Sequence, residues 1–189
     1  MNPAAASGDP TAAAPVFGHG PATVRRNRAA VARRLHAAAP AAVAVLDWPA
    51  LESAPAWLAL AEPALARFTL QAGALRHAPL LRMWIDAQRL AAARAAVGTE
   101  FFQSLLALPE ARLPLSPDLM QGPPIAAAEQ VVPALRAAGQ AVLLASLPTG
   151  CLRDAIAAAW SAVAPAALPE EVARTLVARV ASLASEAHQ

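Results

Sequence analysis

The sequence predicts an all-α protein, a compact multi-helix domain, and three observations predict it. Hydrophobic residues make up 57% of the 189, and alanine supplies much of that share. Alanine is the best intrinsic helix former, because it has no side-chain entropy to lose in a helix. Strand-favouring aromatics are scarce, with no tyrosine and four each of phenylalanine and tryptophan. Apolar residues also recur at spacings of three and four, in segments punctuated by proline.

The elements follow in order. Residues Met1 to Gly20 are a Pro/Gly/Ala/Ser mixture with almost nothing to bury, the composition of a disordered tail. The remainder, residues 21–189, reads as a single helical domain. Thr23 is placed to cap a first helix reaching about Ala39, with Val24, Val31 and Leu35 on a narrow apolar face, and Pro40 ends it. Pro49 and Pro55 break Val43 to Ala61 into short helical turns that carry Trp48 and Trp57. Pro63 suits the first turn of a helix bearing Leu65, Phe68, Ala72 and Leu75.

Pro79 opens a further helix, with Leu80, Leu81, Trp84, Ile85 and Gln88 on one side and Arg82, Asp86 and Arg89 on the other. Gly98 stops it. Thr99 then caps a helix that turns Phe101, Phe102, Leu105 and Leu106 inward. The segment 109–124, with Pro109, Pro114, Pro117, Pro123 and Pro124, is expected to be an extended loop. Beyond it a helix from Ile125 to Leu147 should kink at Pro133. After Pro148-Thr149-Gly150, Leu152, Ile156, Trp160 and Val163 recur at near-helical spacing. Pro169 starts the last helix, with Glu170 and Glu171 in its first turn and Val172, Leu176, Val180 and Leu183 inward.

Composition and motifs exclude several kinds of function. The longest apolar run, Val131 to Leu147, is interrupted by Pro133, Arg136, Gly139 and Gln140 and is shorter than a membrane-spanning helix requires, so no membrane insertion is expected. Cys151 is the only cysteine, which rules out an internal disulfide, suits a reducing compartment and leaves a small buried hydrophobe as its expected role. The histidines, His19, His36, His77 and His188, form no HxxxH or HxxE pair, so no metal site is expected. His77, just before Pro79, reads as a capping or surface residue at a helix end. A phosphate loop needs a lysine, which the chain lacks, and there is no GxSxG elbow. No catalytic residue and no cofactor are expected.

What remains is interaction. The net charge is +2, carried by arginine alone among the basic residues. Arg25, Arg26, Arg28, Arg33 and Arg34 spread over most of a helix circumference, so a solvated helix is expected there and no nucleic-acid partner. The candidate partner contacts are Arg82, Asp86 and Arg89, because arginine is a common interface residue, together with Trp57 should it prove exposed rather than packed on the core.

The run from Arg67 to Leu90, RFTLQAGALRHAPLLRMWIDAQRL, then Val97-Gly98 and Phe101 to Leu108, resembles the SctK (YscK-like) family of type III secretion proteins. A helix around Gly139, the segment Cys151 to Arg153 and a closing helix from Glu170 extend the likeness over roughly Trp57 to Ser185. The resemblance implies a cytoplasmic helical adaptor of the injectisome, peripheral at the inner membrane. It would link the ring protein SctD to the sorting-platform protein SctQ without catalysis. The Ala/Pro-rich N-terminal extension and the lack of lysine depart from the family, so no partner surface carries over residue by residue. Competing readings are a secretion chaperone, a helical regulator, and a DNA-binding regulator using Arg25 to Arg34.

Overall fold

The computed structural model describes residues 21–43, 46, 48–109, 125–160 and 168–186, and every regular element among them is helical. The expected tail, Val163 and all of the expected loop except Pro109 lie outside the described residues.

Helix α1 (Pro21–Ala38) begins at proline, whose fixed φ suits a first turn, and not after a Thr23 cap. It buries Val31 and Leu35, while Val24 is left exposed. The proline-broken connector forms α2 (Pro40–Val43), α3 (Trp48–Glu52) and a 3-10 turn at Ala56–Ala59. Arginines from α1 bind this connector: Arg28 Nη1 lies 2.5 Å from Glu52 Oε1, and Arg34 donates to the carbonyls of Leu58 and Leu60.

The centre of the molecule is α4 (Glu62–Arg76) packed on α8 (Ala128–Ala145). The expected stripe of Leu65, Phe68, Ala72 and Leu75 is buried. Towards its end α4 is enclosed on all sides, with every residue from Gln71 to Leu75 buried, and α8 is likewise enclosed from Ala141 onward. A helix apolar all round is a central one. Gly73 of α4 and Gly139 of α8 meet at the crossing. Pro133 lies inside α8, where it withholds the backbone donor that would meet the Glu129 carbonyl.

Around this pair stand α5 (Ala78–Met83), α6 (Ala87–Val97), α7 (Thr99–Ala107), α9 (Cys151–Ala159) and α10 (Glu170–Glu186). Gly98 ends α6 and starts α7 at a φ of 94°, a left-handed backbone that disfavours any side chain. Thr99 is therefore the first residue of α7 rather than its cap. Helix α7 buries Phe101, Phe102 and Leu105 but leaves Leu106 exposed, and α10 buries Ala173, Leu176, Val180 and Leu183, with Ala173 in the place expected for Val172. The hydroxyl of Thr69 donates to the Leu65 carbonyl within α4, and that of Ser146, just past the end of α8, donates back to the Leu143 carbonyl. Gln71 Nε2 donates to the Val97 carbonyl at the end of α6.

Two further sequence expectations, on Cys151 and His77, need correction. Cys151 is partly exposed rather than buried, because it opens α9 at the surface beside Thr149 and Gly150. His77 is neither a surface residue nor a charged cap. Its amide closes α4 on the Gly73 carbonyl, its carbonyl accepts from Leu81 to start α5, and its ring is buried. Burial first, and the neighbouring Arg76 charge second, lower its pKa to about 4.

Candidate protein-docking site

The segment from Pro79 to Gly98 is two helices and not one. Helix α5 ends at Met83, the chain runs extended through Trp84, and α6 starts at Ala87. Asp86 makes the break. Its Oδ1 accepts from the amides of Gln88 at 2.8 Å and Arg89 at 3.3 Å, capping the otherwise unpaired first donors of α6. An aspartate that caps a new helix competes with continuation of the old one.

Each of the three charged candidates holds this elbow in place. Arg89 Nε lies 3.0 Å from Asp86 Oδ2, its Nη1 donates to the Ile125 carbonyl at 2.9 Å, and its guanidinium sits 5.1 Å from the centre of the Trp84 ring. Arg82 turns the other way and donates to the carbonyls of Leu105 and Leu108 at the end of α7. The two arginines thus tie the elbow to both flanks of segment 110–124. The amides of Arg89 and Gln88, helped by the Arg89 guanidinium, hold the Asp86 carboxyl below its ordinary pKa. Arg82, Asp86 and Arg89 thus form a clasp on the chain itself, and of the ion pairs possible among them only Arg89–Asp86 forms.

Successive residues of an extended chain point to opposite sides. Trp84 therefore turns inward and is buried, while Ile85 turns outward with 96% of its surface exposed and Met83 beside it is 69% exposed. The helical pattern instead places Ile85 on the buried side together with Trp84. The nearby solvent-facing positions of α6, Ala87, Gln88 and Ala91, carry no charge. The result is an apolar projection on a backbone fixed from several directions.

Trp57, the fourth candidate contact, does not join this site. It is buried, 6.3 Å from Trp160 between ring centres, so the core-packing alternative describes it and it presents no docking surface. Nothing in the residue pattern singles out Met83 and Ile85. The signal that could have found them is the Asp86-x-Gln88-Arg89 cap inside an apparently continuous helix.

Elsewhere the surface has shallow clefts, including one of about 400 Å³ between Pro49, Ser53, Pro148 and Cys151. Among the described residues no three His, Cys, Asp or Glu side chains come close enough to share a metal ion, and no helix is long and apolar enough to cross a membrane.

Fold and site together define a class: an all-α scaffold that displays a fixed apolar projection. Comparison of the chain with family models, curated proteins and solved structures finds no match.

Proposed function

We propose that this protein is a non-catalytic adaptor that docks other proteins through the α5–α6 elbow. The observation that carries this reading is the near-complete exposure of Ile85 beside Met83 on a backbone clasped by Asp86, Arg89 and Arg82. A large aliphatic side chain held out in water is unfavourable in isolation. Burying it against a partner recovers roughly 1.5–3 kcal/mol. Because the clasp already fixes the elbow, little further ordering entropy is lost on association.

The resemblance of residues 57–185 to the SctK family gives the finer proposal. The adaptor belongs to a type III secretion apparatus and works at the cytoplasmic face of the inner membrane. There it links an SctD-like ring protein to an SctQ-like platform protein. The test is co-purification of the tagged full chain from cells expressing the apparatus, with SctD- and SctQ-like proteins probed directly. Wild type should retain at least one of them, and Ile85→Asp should retain less. Recovery of neither by wild type would defeat the secretion-adaptor reading, and undiminished recovery by I85D would move the docking surface elsewhere.

A further inference from the structure

The five arginines of α1 are alike in sequence but the fold divides them. Arg28 is paired with Glu52, and Arg34 is held by the Leu58 and Leu60 carbonyls with Glu62 Oε2 3.6 Å from its Nε. Arg25, Arg26 and Arg33 are exposed and make no ion pair with any described residue. At about 100° per residue these three fall within an arc of roughly 100°, with Ala22, Ala29 and His36 in the same arc. Helix α1 contains no acidic residue. Its outer face is therefore a cationic stripe, with Arg26 and Arg33 two turns apart and an alanine between them.

We infer that this stripe docks an acidic α-helix of a partner protein, one with carboxylates two turns apart to meet Arg26 and Arg33. The guanidinium fork matches a carboxylate or a phosphate in a planar, two-bond geometry, and two features favour the carboxylates of a helix. Ala22 and Ala29 are low enough for a second helix to approach the backbone, so both arginines reach across at once. The alternatives lack their usual contacts on this face. It has no large apolar side chain to enter a bilayer. It has no aromatic ring to stack on an unpaired base, and the one side-chain amide of the helix, Asn27, which could read a base edge of a duplex, lies outside the arc and is partly buried. The stripe is independent of the α5–α6 elbow, so it stands or falls without the adaptor proposal.

The test uses the full chain and labelled alanine-rich peptides, followed by fluorescence anisotropy at low ionic strength. One peptide carries glutamates every seven residues along one helical face. A control of the same composition scatters them around the helix. The aligned peptide should bind about tenfold tighter than the scattered one, as two fitted charge pairs allow. That preference should disappear in both R25E/R26E/R33E and the neutral R25Q/R26Q/R33Q variant, with helicity unchanged in circular dichroism. Equal affinity for the two peptides, no binding of either, or tighter binding to a DNA duplex or to phosphatidylglycerol vesicles would each overturn the inference.

Discussion

Gly73 and Gly139 face each other across the α4–α8 crossing, each against the backbone of the opposite helix. A Cβ on Gly73 would lie 1.8 Å from the Leu135 carbonyl oxygen, and one on Gly139 would lie 1.8 Å from the Thr69 carbonyl oxygen. Both obstacles are backbone atoms and have no rotamer to change. One methyl group would force apart the two most enclosed helices, and with them the residues buried from Gln71 to Leu75 and Ala141 to Ala145. Gly139→Ala should destabilise the protein by about 3 kcal/mol or more, at or beyond the upper end for overpacked cores. Urea denaturation monitored by circular dichroism measures it, and a loss of under about 1 kcal/mol would mean that the helices separate without penalty.

The clasp around the elbow leads to a second expectation. Arg82 and Arg89 satisfy carbonyls of Leu105, Leu108 and Ile125, so replacing either arginine with alanine strips a charged donor from them. R82A and R89A should each lower stability by about 1.5–3 kcal/mol, the range for hydrogen bonds that involve a charged group. Charge reversal by Arg89→Glu should be worse, since a second carboxylate would then face Asp86. A stability unchanged within experimental error in these variants would return the arginines to ordinary surface residues.

His77 supplies a pH dependence. Its pKa is lowered to about 4 in the fold, against an ordinary value of 6.5, so the folded state favours the neutral ring. The stability attached to neutral His77 is fully present above pH 6.5 and is lost as pH falls towards 4. Integrated over that window, the shift corresponds to roughly 3 kcal/mol. His77→Gln cannot titrate, so the wild-type minus H77Q stability should fall across pH 6.5 to 4 and be level above it. A difference that stays level throughout would mean that the ring charges without cost.

The elbow itself should be separable from folding. Ile85→Asp and Met83→Ser change side chains that the fold leaves in solvent, so stability should move by no more than about 0.5 kcal/mol in thermal unfolding. Helicity should be unaltered while retention of partners falls. A large drop in stability for I85D would show that Ile85 packs within the chain, and the docking reading would lose its basis.

Much of this architecture is legible in residue order. Pro63 marks the first turn of α4, and the stripe Leu65, Phe68, Ala72 and Leu75 is buried as its spacing requires. The proline-broken connector breaks into short turns for the same reason. The candidate site is harder to read. Leu81, Trp84, Ile85 and Gln88 satisfy a helical pattern well enough to hide the three-residue break, since spacing alone does not distinguish a helix from two shorter ones joined by a cap. Arg82, Asp86 and Arg89 stand out as charges in the sequence, but their role as internal braces depends on carbonyls far away in the chain.

By itself the sequence determined the helical class, the starts of several helices and most of the buried stripes. Those properties follow from short-range physics: the entropy advantage of alanine, the fixed φ of proline and a repeat of about 3.6 residues per turn. Only the tertiary structure decided that Ile85 faces water, that His77 is enclosed, and that two arginines of α1 turn inward while three stay outside. Those outcomes depend on groups brought together across the chain, such as Arg89 with Ile125 and Arg82 with Leu108, separated by 36 and 26 residues. Burial of a ring or satisfaction of a guanidinium depends on what other helices place beside it. Local residue order does not encode that neighbourhood.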